Sequence, residues 1–145
     1  MVKIKIISLE ETYQIRKEVL RKNIDLPYTF NGDQEKETIH LGLYLNNNLT
    51  GVVSFMKSTH KDLKGEQYQL GGMAILHEFQ GEGYGNILIL NGIEKLKNKQ
   101  IDIVWCNARV SALHFYQKNG FQIIGDEFDI PKIGGHFVMY KNIID

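Results

Sequence analysis

The segment Gln80-Gly81-Glu82-Gly83-Tyr84-Gly85 follows a strand-like run, Gln67 to Ile75, and precedes the apolar run Ile87 to Leu90. Glycines at alternate positions allow backbone conformations that are closed to residues with a Cβ, so successive N–H groups can converge on an anion. A helix that starts at the apolar run adds the positive end of its dipole at the same point. The segment therefore predicts a strand, a phosphate-binding loop and a helix in succession.

Two common nucleotide-binding signatures do not fit this loop. Asn86 stands where G-x-G-x-x-G requires its third glycine, and no lysine follows at the place that G-x-x-x-x-G-K-S/T requires. The pattern Gln80-x-x-Gly83-x-Gly85 resembles instead the Q/R-x-x-G-x-G/A signature of the GNAT superfamily of N-acetyltransferases, which hold the pyrophosphate of acetyl-coenzyme A on this loop. A glycine-rich turn without a ligand can show the same pattern, so the loop alone leaves both interpretations open.

A second motif resembles the same family. The segment from Ala112 to Phe121 is similar to A-x-x-x-Y-x-K-x-G-F, with matches at Ala112, Tyr116, Lys118, Gly120 and Phe121. Its spacing predicts a short amphipathic helix with Ala112, Phe115 and Tyr116 on one face, which ends at Gly120 in a left-handed C-terminal cap. Two motifs in the family's order make the resemblance specific. It covers the C-terminal two thirds of the chain well and the N-terminal third loosely.

The alternation of apolar residues predicts the remaining elements. Ser8 and Glu11 form a capping box for a helix that runs to about Lys22. Strands are predicted at residues 1–7, 38–46, 49–59, 67–75, 101–106, 121–124 and 136–142. We therefore expect one domain over residues 1–145, of the α/β (α+β) class. Its mixed, largely antiparallel sheet of about six to seven strands would carry helices on both faces, which is also the GNAT fold that the resemblance implies.

Composition limits the partners. The 17 Lys and Arg residues equal the 17 Asp and Glu residues, so no net field attracts nucleic acid or an anionic membrane. Cys106 is the only cysteine and cannot form an intramolecular disulfide. No apolar run has the length of a signal peptide's core or of a membrane span, and no histidine pair has metal-ligand spacing. We expect a cytoplasmic protein without a metal, and exposed sheet edges make a homodimer reasonable.

The resemblance implies a coenzyme site on both sides of the glycine loop. In the family the pantetheine arm pairs with the strand before the loop, and a backbone N–H there polarises the thioester carbonyl. Gly71-Gly72 is either a bulge that frees these backbone groups or a place where a helix packs closely. The residues expected to bind acetyl-coenzyme A are Met73, Ala74, Ile75, Gln80, Gly81, Glu82, Gly83, Tyr84, Gly85, Asn86, Asn107 and Arg109. Arg109 would contact a coenzyme phosphate or an acidic group of the substrate, or else be a surface charge.

Tyr116 matches the family's tyrosine whose hydroxyl reaches the coenzyme sulfur, so it is the candidate general acid. The other interpretation is an aromatic side chain on the core face of a short helix. Many relatives carry a glutamate on the strand before the loop, but Gln69 stands at that position here, and an amide cannot accept a proton. A water-mediated base, or no dedicated base, is expected.

The acceptor side is predicted from four residues, Arg16, His40, Gln69 and His136. The G-x-H-x-x-M pattern at residues 134–139 resembles a bacterial subgroup of the ElaA type. Arg16 borders the buried stripe of the first helix, where it would line the acceptor site or extend its charge to solvent. The alternative for all of these residues is a structural polar group with its hydrogen bonds satisfied. Acidic residues in the loop 23–37, among them Asp33 and Glu35, favour a cationic amine.

These observations predict an N-acetyltransferase that moves an acetyl group directly from acetyl-coenzyme A to a primary amine of a small molecule or peptide. The alternative is a non-catalytic acetyl-coenzyme A sensor or interaction module of the same fold. Gln69 fits the sensor, whereas Tyr116 argues against it, because a sensor needs no proton donor at the sulfur.

Overall fold

A seven-stranded mixed sheet forms the centre of the molecule in the computed structural model, which describes residues 1–144. The strands are β1 (Val2–Ile6), β2 (Ile39–Leu45), β3 (Asn48–Lys57), β4 (Gln67–Ile75), β5 (Ile103–Arg109), β6 (Gln122–Ile130) and β7 (Gly134–Asn142). Their order across the sheet is β1-β2-β3-β4-β5-β7-β6, and all neighbours are antiparallel except β4 and β5. The predicted fold class is confirmed.

Helices cover both faces of the sheet, because each carries one apolar stripe that must be buried. The α-helices are α1 (Leu9–Ile15), α2 (Tyr84–Asn98) and α3 (Leu113–Lys118); α1 continues as a π-helical turn, Arg16–Leu20, and short 3₁₀ turns precede α2 and α3. The α2 helix packs so closely on β3 that a Cβ on Gly92 would lie 2.2 Å from the Phe55 ring. On the opposite face, Ile15 of α1 packs against Val52 and Ala74.

The sheet opens between its two parallel strands. The β4 and β5 strands pair only from Gln67 to Gln69 and from Ile103 to Trp105, and they separate towards their carboxyl ends. On its other edge β4 has a bulge, since Val52 and Ser54 of β3 face Ala74 and Gly71, which leaves one extra residue on β4. The backbone edge of β4 that faces β5 is therefore left without strand partners at residues 70–75, and a cleft begins there.

The structure corrects several predicted boundaries. The β5 strand, predicted at residues 101–106, runs from Ile103 to Arg109. Regular α-helical geometry in α1 ends at Ile15, well before Lys22, because the following residues turn into a π-helical segment that brings Arg16 inside. The α2 helix begins at Tyr84, earlier than Ile87, since its first turn belongs to the glycine loop. The β6 strand extends through residue 130 and past a register shift at residues 124–128, because it pairs with β7 again from Phe128 to Ile130.

Within residues 1–144, no helix is both long enough and apolar enough to cross a membrane. The capping box at the start of α1 is present as predicted. Ser8 Oγ accepts from Glu11 N at 3.3 Å, and Glu11 Oε1 accepts from Ser8 N at 3.0 Å. The α3 helix likewise ends as predicted, with Gly120 at a φ of +87° just beyond Asn119.

Candidate active site

The glycine loop lies at one end of the cleft, and its conformation requires glycine. Gly81 and Gly83 have φ values of +82° and +85°, and a Cβ on either would meet no atom within 4 Å. Backbone conformation rather than crowding is therefore the reason for glycine, and the space above the loop is open. Gln80 Nε2 donates to the carbonyl of Ile75 at 2.9 Å, which ties the loop to the end of β4.

The third glycine of the motif has a different role from the first two. Gly85 lies inside α2, is buried, and would place a Cβ 3.0 Å from the Phe115 ring. It therefore allows α2 and α3 to pack closely and does not shape the loop, which corrects the expectation that all three glycines adopt special conformations. Gly81 and Gly83 are thus required by the backbone conformation, and Gly85 is required by packing.

The start of α2 offers free donors at the loop. The first helical bond there joins Ile87 N to the Gly83 carbonyl, so the N–H groups of residues 84–86 have no partner within the helix. The first turn of α2 carries no acidic residue that would neutralise the positive end of its dipole. This combination is suited to an anion with several oxygens.

A groove of about 660 Å³ runs over this loop. Its lining includes nine of the residues expected to contact the coenzyme, namely Met73, Ala74, Ile75, Gln80, Gly81, Gly83, Tyr84, Gly85 and Asn86. Glu82 does not line it, and Asn107 and Arg109 line a neighbouring cavity instead. Sequence reasoning missed the contributions of Ser111 and Asn119, although Lys118, which also lines the groove, belongs to the second motif.

The neighbouring cavity, of about 610 Å³, is called here the acceptor cavity. It lies between the separated ends of β4 and β5, and it shares Val19, Met73, Ala112 and Phe115 with the groove over the glycine loop. The two spaces therefore form one continuous cleft. Six predicted site residues line the acceptor cavity, namely Gln69, Met73, Asn107, Arg109, Tyr116 and His136.

Tyr116 lies in the wall of the acceptor cavity with only 7% of its surface exposed. Its ring makes edge-to-face contacts with Phe115 and Phe121 at 5.1 and 5.4 Å, and these contacts hold the ring in place. Burial raises the pKa of the Tyr116 hydroxyl well above its usual value; the nearby Cys106 raises it further, and the positive charge of Arg109 lowers it. No group in residues 1–144 hydrogen-bonds to this hydroxyl, which leaves its proton available to a ligand.

His136 also lines the acceptor cavity. Its Nδ1 lies 2.8 Å from the carbonyl oxygen of Gly134. Since a carbonyl only accepts, Nδ1 is the donor in this hydrogen bond, and Nε2 makes no hydrogen bond within residues 1–144. Phe128 stacks on the ring with centroids 5.7 Å apart, and His136 is 3% exposed. Gln69, also at this cavity, makes no side-chain hydrogen bond within residues 1–144.

Two arginines lie together at the mouth of the acceptor cavity. Arg109 Nη2 and Arg21 Nη1 both donate to the carbonyl oxygen of Leu20, at 3.0 and 3.1 Å, and Arg21 Nε donates to Pro27 at 2.7 Å. Burial lowers the pKa of both guanidinium groups, and the pKa of Arg21 is lowered further by the charges of Arg109 and Arg16. Arg109 is thus neither a coenzyme-loop residue nor a free surface charge. Arg21 was missed because nothing in its local sequence distinguishes it from other surface arginines.

Arg16 and His40, expected on the acceptor side, line neither space. Arg16 is fully buried and makes a bidentate ion pair with Asp33, at 2.8 and 2.9 Å, while its Nη2 also donates to Ser54 Oγ at 3.0 Å. His40 uses both ring nitrogens, Nδ1 at 2.6 Å from Ser54 Oγ and Nε2 at 3.0 Å from the Asp33 carbonyl. Arg16 does not extend to solvent, and these residues form an internal polar cluster that holds the loop 23–37.

The same cluster explains the glycine pair of β4. Gly72 has a φ of +61°, and its Cβ would lie 2.9 Å from Arg16 Nε. Both sequence interpretations of Gly71-Gly72 therefore apply, since the pair forms a bulge and also admits a helical side chain. The cluster also corrects the expected preference for a cationic amine, because Asp33 is neutralised by Arg16 and Glu35 is exposed outside the acceptor cavity.

Within the described residues, no group of three or more His, Cys, Asp or Glu side chains could hold a metal ion. Cys106 is buried in the cleft wall, and burial raises the pKa of its thiol, so the thiolate is disfavoured. The cleft therefore contains a loop suited to an anion, a buried hydroxyl, an imidazole and two guanidinium groups.

Comparison with known proteins agrees with this geometry. The family model described as the Acetyltransferase (GNAT) family matches residues 6–121. YitI of Bacillus subtilis (strain 168), described as an uncharacterized N-acetyltransferase, is 35% identical over 145 residues, covering 99% of this chain and 97% of YitI.

Solved structures show the same fold. ElaA of Escherichia coli superimposes with a TM-score of 0.80 at 21% identity, covering 98% of this chain and 100% of that one. An N-acetyltransferase structure from Lactobacillus plantarum gives 0.79 at 15% identity, with 99% of each chain covered. The resemblance seen in the two motifs is confirmed, and the chain belongs to the GNAT family of acetyltransferases.

Proposed function

We propose that this protein transfers the acetyl group of acetyl-coenzyme A directly to a primary amine. The observation that carries this proposal is the continuity of the cleft, which runs from the glycine loop, past the unpaired edge of β4, to the buried hydroxyl of Tyr116. A donor bound along the groove would place its thioester where the acceptor cavity begins. Alignment of this kind supplies much of the rate enhancement in a group transfer.

The donor would be held mainly by backbone groups. The loop 80–83 and the first N–H groups of α2 would bind the pyrophosphate. The edge of β4 at residues 73–75 would pair with the amides of the pantetheine arm, because the separation from β5 leaves that edge free. A backbone N–H on this edge would polarise the thioester carbonyl as charge develops on its oxygen.

The reaction then needs one proton acceptor and one proton donor. The amine lone pair attacks the carbonyl carbon, a C–N bond forms, and the C–S bond breaks. Nε2 of His136 is free to accept the proton that the amine loses, which Gln69 cannot do. Tyr116 would give its proton to the leaving sulfur, so that coenzyme A departs as the thiol. Its raised pKa keeps the hydroxyl protonated until then, and the nearby charge of Arg109 stabilises the phenolate that results.

The donor assignment is tested by calorimetric titration of the protein with acetyl-coenzyme A and with coenzyme A, with NAD as the control dinucleotide. We expect one-to-one binding of both coenzyme forms and none of NAD. Acceptors are then screened by release of the coenzyme thiol. Absence of coenzyme binding would overturn the proposal, and so would binding of the donor without turnover of any primary amine.

Replacement of Tyr116 by Phe tests the proton donor. We expect kcat to fall by about 100-fold to 10,000-fold, the range usual for loss of a general acid, because the sulfur then leaves as an unprotonated thiolate. The affinity for acetyl-coenzyme A should stay within about twofold by calorimetry. Tyr140→Phe, on β7 and outside both spaces of the cleft, is the matched control and should keep full activity. Full turnover in Tyr116→Phe would show that the tyrosine is only a packing residue.

A further inference from the structure

The positively charged side chains of Arg21 and Arg109 lie together at the acceptor cavity, and the group that they share as a hydrogen-bond acceptor is neutral. Arg21 and Arg109 donate to the same carbonyl oxygen, that of Leu20 at the end of the π-helical turn. A guanidinium has five N–H donors. Arg21 uses two of them, on the carbonyls of Leu20 and Pro27, and Arg109 uses one, on the carbonyl of Leu20. Most of their donors therefore have no protein acceptor in the hydrogen bonds of residues 1–144.

Within residues 1–144, neither arginine forms an ion pair with a carboxylate. The residues that line the acceptor cavity include no Asp and no Glu. The carbonyls at a helix end carry about half a negative charge, which cannot balance two full positive charges. Arg16 provides an internal comparison, because the same side chain, in a neighbouring and more buried position, has its own carboxylate in Asp33. The charge at Arg21 and Arg109 is therefore available to an anionic ligand.

The rest of the cavity suits an apolar group. Its wall is formed largely by aliphatic, aromatic and thioether side chains, among them Leu26, Pro27, Phe30, Met56, Ile130 and Ile133. A polyamine would find positive charge here and no partner for its own charges. A small molecule with one anionic group and an apolar body would bury both in matching surroundings.

The proton acceptor lies beside the cationic pair. His136 is the cross-strand partner of Arg109 on β7, and both line the acceptor cavity. Side chains of directly paired residues project from the same face of a sheet. An amine and a carboxylate on one carbon atom would therefore reach Nε2 of His136 and the two guanidinium groups together.

We propose that the acceptor is an α-amino acid with an apolar side chain, whose carboxylate binds Arg21 and Arg109 while its amine faces His136. This inference rests on the proposed acetyl transfer and names the substrate class of the same site. The carboxylate would take forked hydrogen bonds from the guanidinium donors that the protein leaves unused. The side chain would occupy the apolar wall below the loop 23–37.

The test on the unaltered protein compares acceptors that differ only in the carboxylate. L-Leucine, L-leucinamide and 3-methylbutylamine are assayed with acetyl-coenzyme A, and L-phenylalanine is paired with its amide in the same way. We expect kcat/KM for the acids to exceed that of the amides and the bare amine by about 10-fold to 100-fold, because a hydrogen bond to a charged group is lost in each. Equal or better turnover of the amides or the bare amine would overturn this inference and leave the acetyltransferase proposal intact.

A second anionic source is tested in parallel. O-Phosphoethanolamine carries a phosphate in place of the carboxylate, and better turnover of it than of the amino acids would also overturn the assignment. If no amine is turned over, the protein saturated with coenzyme A is titrated with L-leucine and with L-leucinamide. L-Leucine must bind more tightly than its amide by about 10-fold for the inference to stand without the activity.

Arg21→Gln separates ligand binding from a structural role. If Arg21 binds the carboxylate, KM for L-leucine should rise about 10-fold while kcat/KM for L-leucinamide stays the same. If Arg21 only holds the carbonyls of Leu20 and Pro27, both substrates should suffer alike, and that result would count against the inference. Lys22→Gln removes a neighbouring exposed positive charge outside the acceptor cavity and should change neither value.

Discussion

The two ends of the cleft use different polar groups, backbone groups at the donor end and side chains at the acceptor end. At the donor end, the loop around Gly81 and Gly83 and the start of α2 present backbone N–H groups, and few side chains contribute. At the acceptor end, the polar groups are side chains from distant parts of the chain, such as Arg21 and His136. One end therefore depends on local backbone conformation, and the other depends on how separate elements pack.

This difference predicts that the two ends tolerate substitution differently. A backbone cradle needs only residues that permit its φ values, and the rest of its sequence is free. A side-chain site changes with each substitution in its wall. A group-transfer enzyme needs one site that always binds the same donor and another site that selects its acceptor. A backbone cradle suits the first need, and a site made of side chains suits the second. Substitutions at Asp33, Gly83 and Ser8 are expected to separate the two ends, with decreasing effect.

The largest effect is expected where the acceptor end is held by a buried ion pair. Asp33→Ala leaves the guanidinium of Arg16 buried and unpaired and removes the acceptor for Phe30 N, so we expect a loss of about 3–5 kcal/mol in the free energy of unfolding. Asp126→Ala, an exposed aspartate on β6, is the control and should change stability by less than about 0.5 kcal/mol. Both are measured by urea unfolding.

The donor end should remain functional in this variant. At a temperature where Asp33→Ala is folded, we expect its affinity for acetyl-coenzyme A to match that of the unaltered protein within about twofold. A large loss of coenzyme affinity would mean that the two ends are not independent. A stability loss under about 1 kcal/mol would mean that water reaches Arg16 and replaces its carboxylate.

A smaller effect is expected at the donor end. Gly83→Ala and Gly125→Ala are matched, because the two glycines have φ values of +85° and +82° and neither Cβ would meet another atom within 4 Å. Each should lose about 1–2 kcal/mol of stability from the left-handed conformation. Gly83→Ala alone should also weaken acetyl-coenzyme A binding, by about 10-fold, because its methyl group enters the space above the loop. Equal coenzyme binding by the two variants would contradict a phosphate site at this loop.

The smallest effect is expected at the start of α1. Ser8→Ala removes the side-chain acceptor of Glu11 N, and we expect a loss of about 1 kcal/mol in unfolding free energy. Ser8→Thr retains a hydroxyl at this position and should recover most of that loss. Coenzyme affinity should not change in either variant. Wild-type stability in Ser8→Ala would show that tertiary packing, and not the cap, determines where α1 begins.

The fold could be predicted from the sequence wherever a local signal repeats. The strand periods, the capping box at Ser8 and Glu11, and the stop at Gly120 each follow from neighbours in the chain, and all are present. The length of β6 could not be predicted in this way, because its residues 125–127 are exposed and lack a strand pattern. Pairing with β7 on either side, at residues 122–124 and 128–130, keeps this irregular segment within one strand.

The candidate site also has a part that the sequence predicts correctly and a part that it does not. Most loop residues that were expected to face the coenzyme line the groove, since a motif on a contiguous strand, turn and helix carries its own geometry. Arg16 and His40 were predicted to lie on the acceptor side, yet both are internal. Their partner Asp33 lies in an irregular loop, and no periodicity indicates where such a loop packs.

The sequence by itself determined the family, the order of the elements, and the loop and tyrosine motifs, because these depend on contacts between residues close in the chain. Only the tertiary structure decided which charges are neutralised and which are free. Arg16 lies 17 positions from Asp33, and Arg109 meets Arg21 and Leu20 across 88 and 89 positions. The physical reason is that a side chain's charge acts through whatever folding brings beside it, and such neighbours are chosen by the packing of the whole chain.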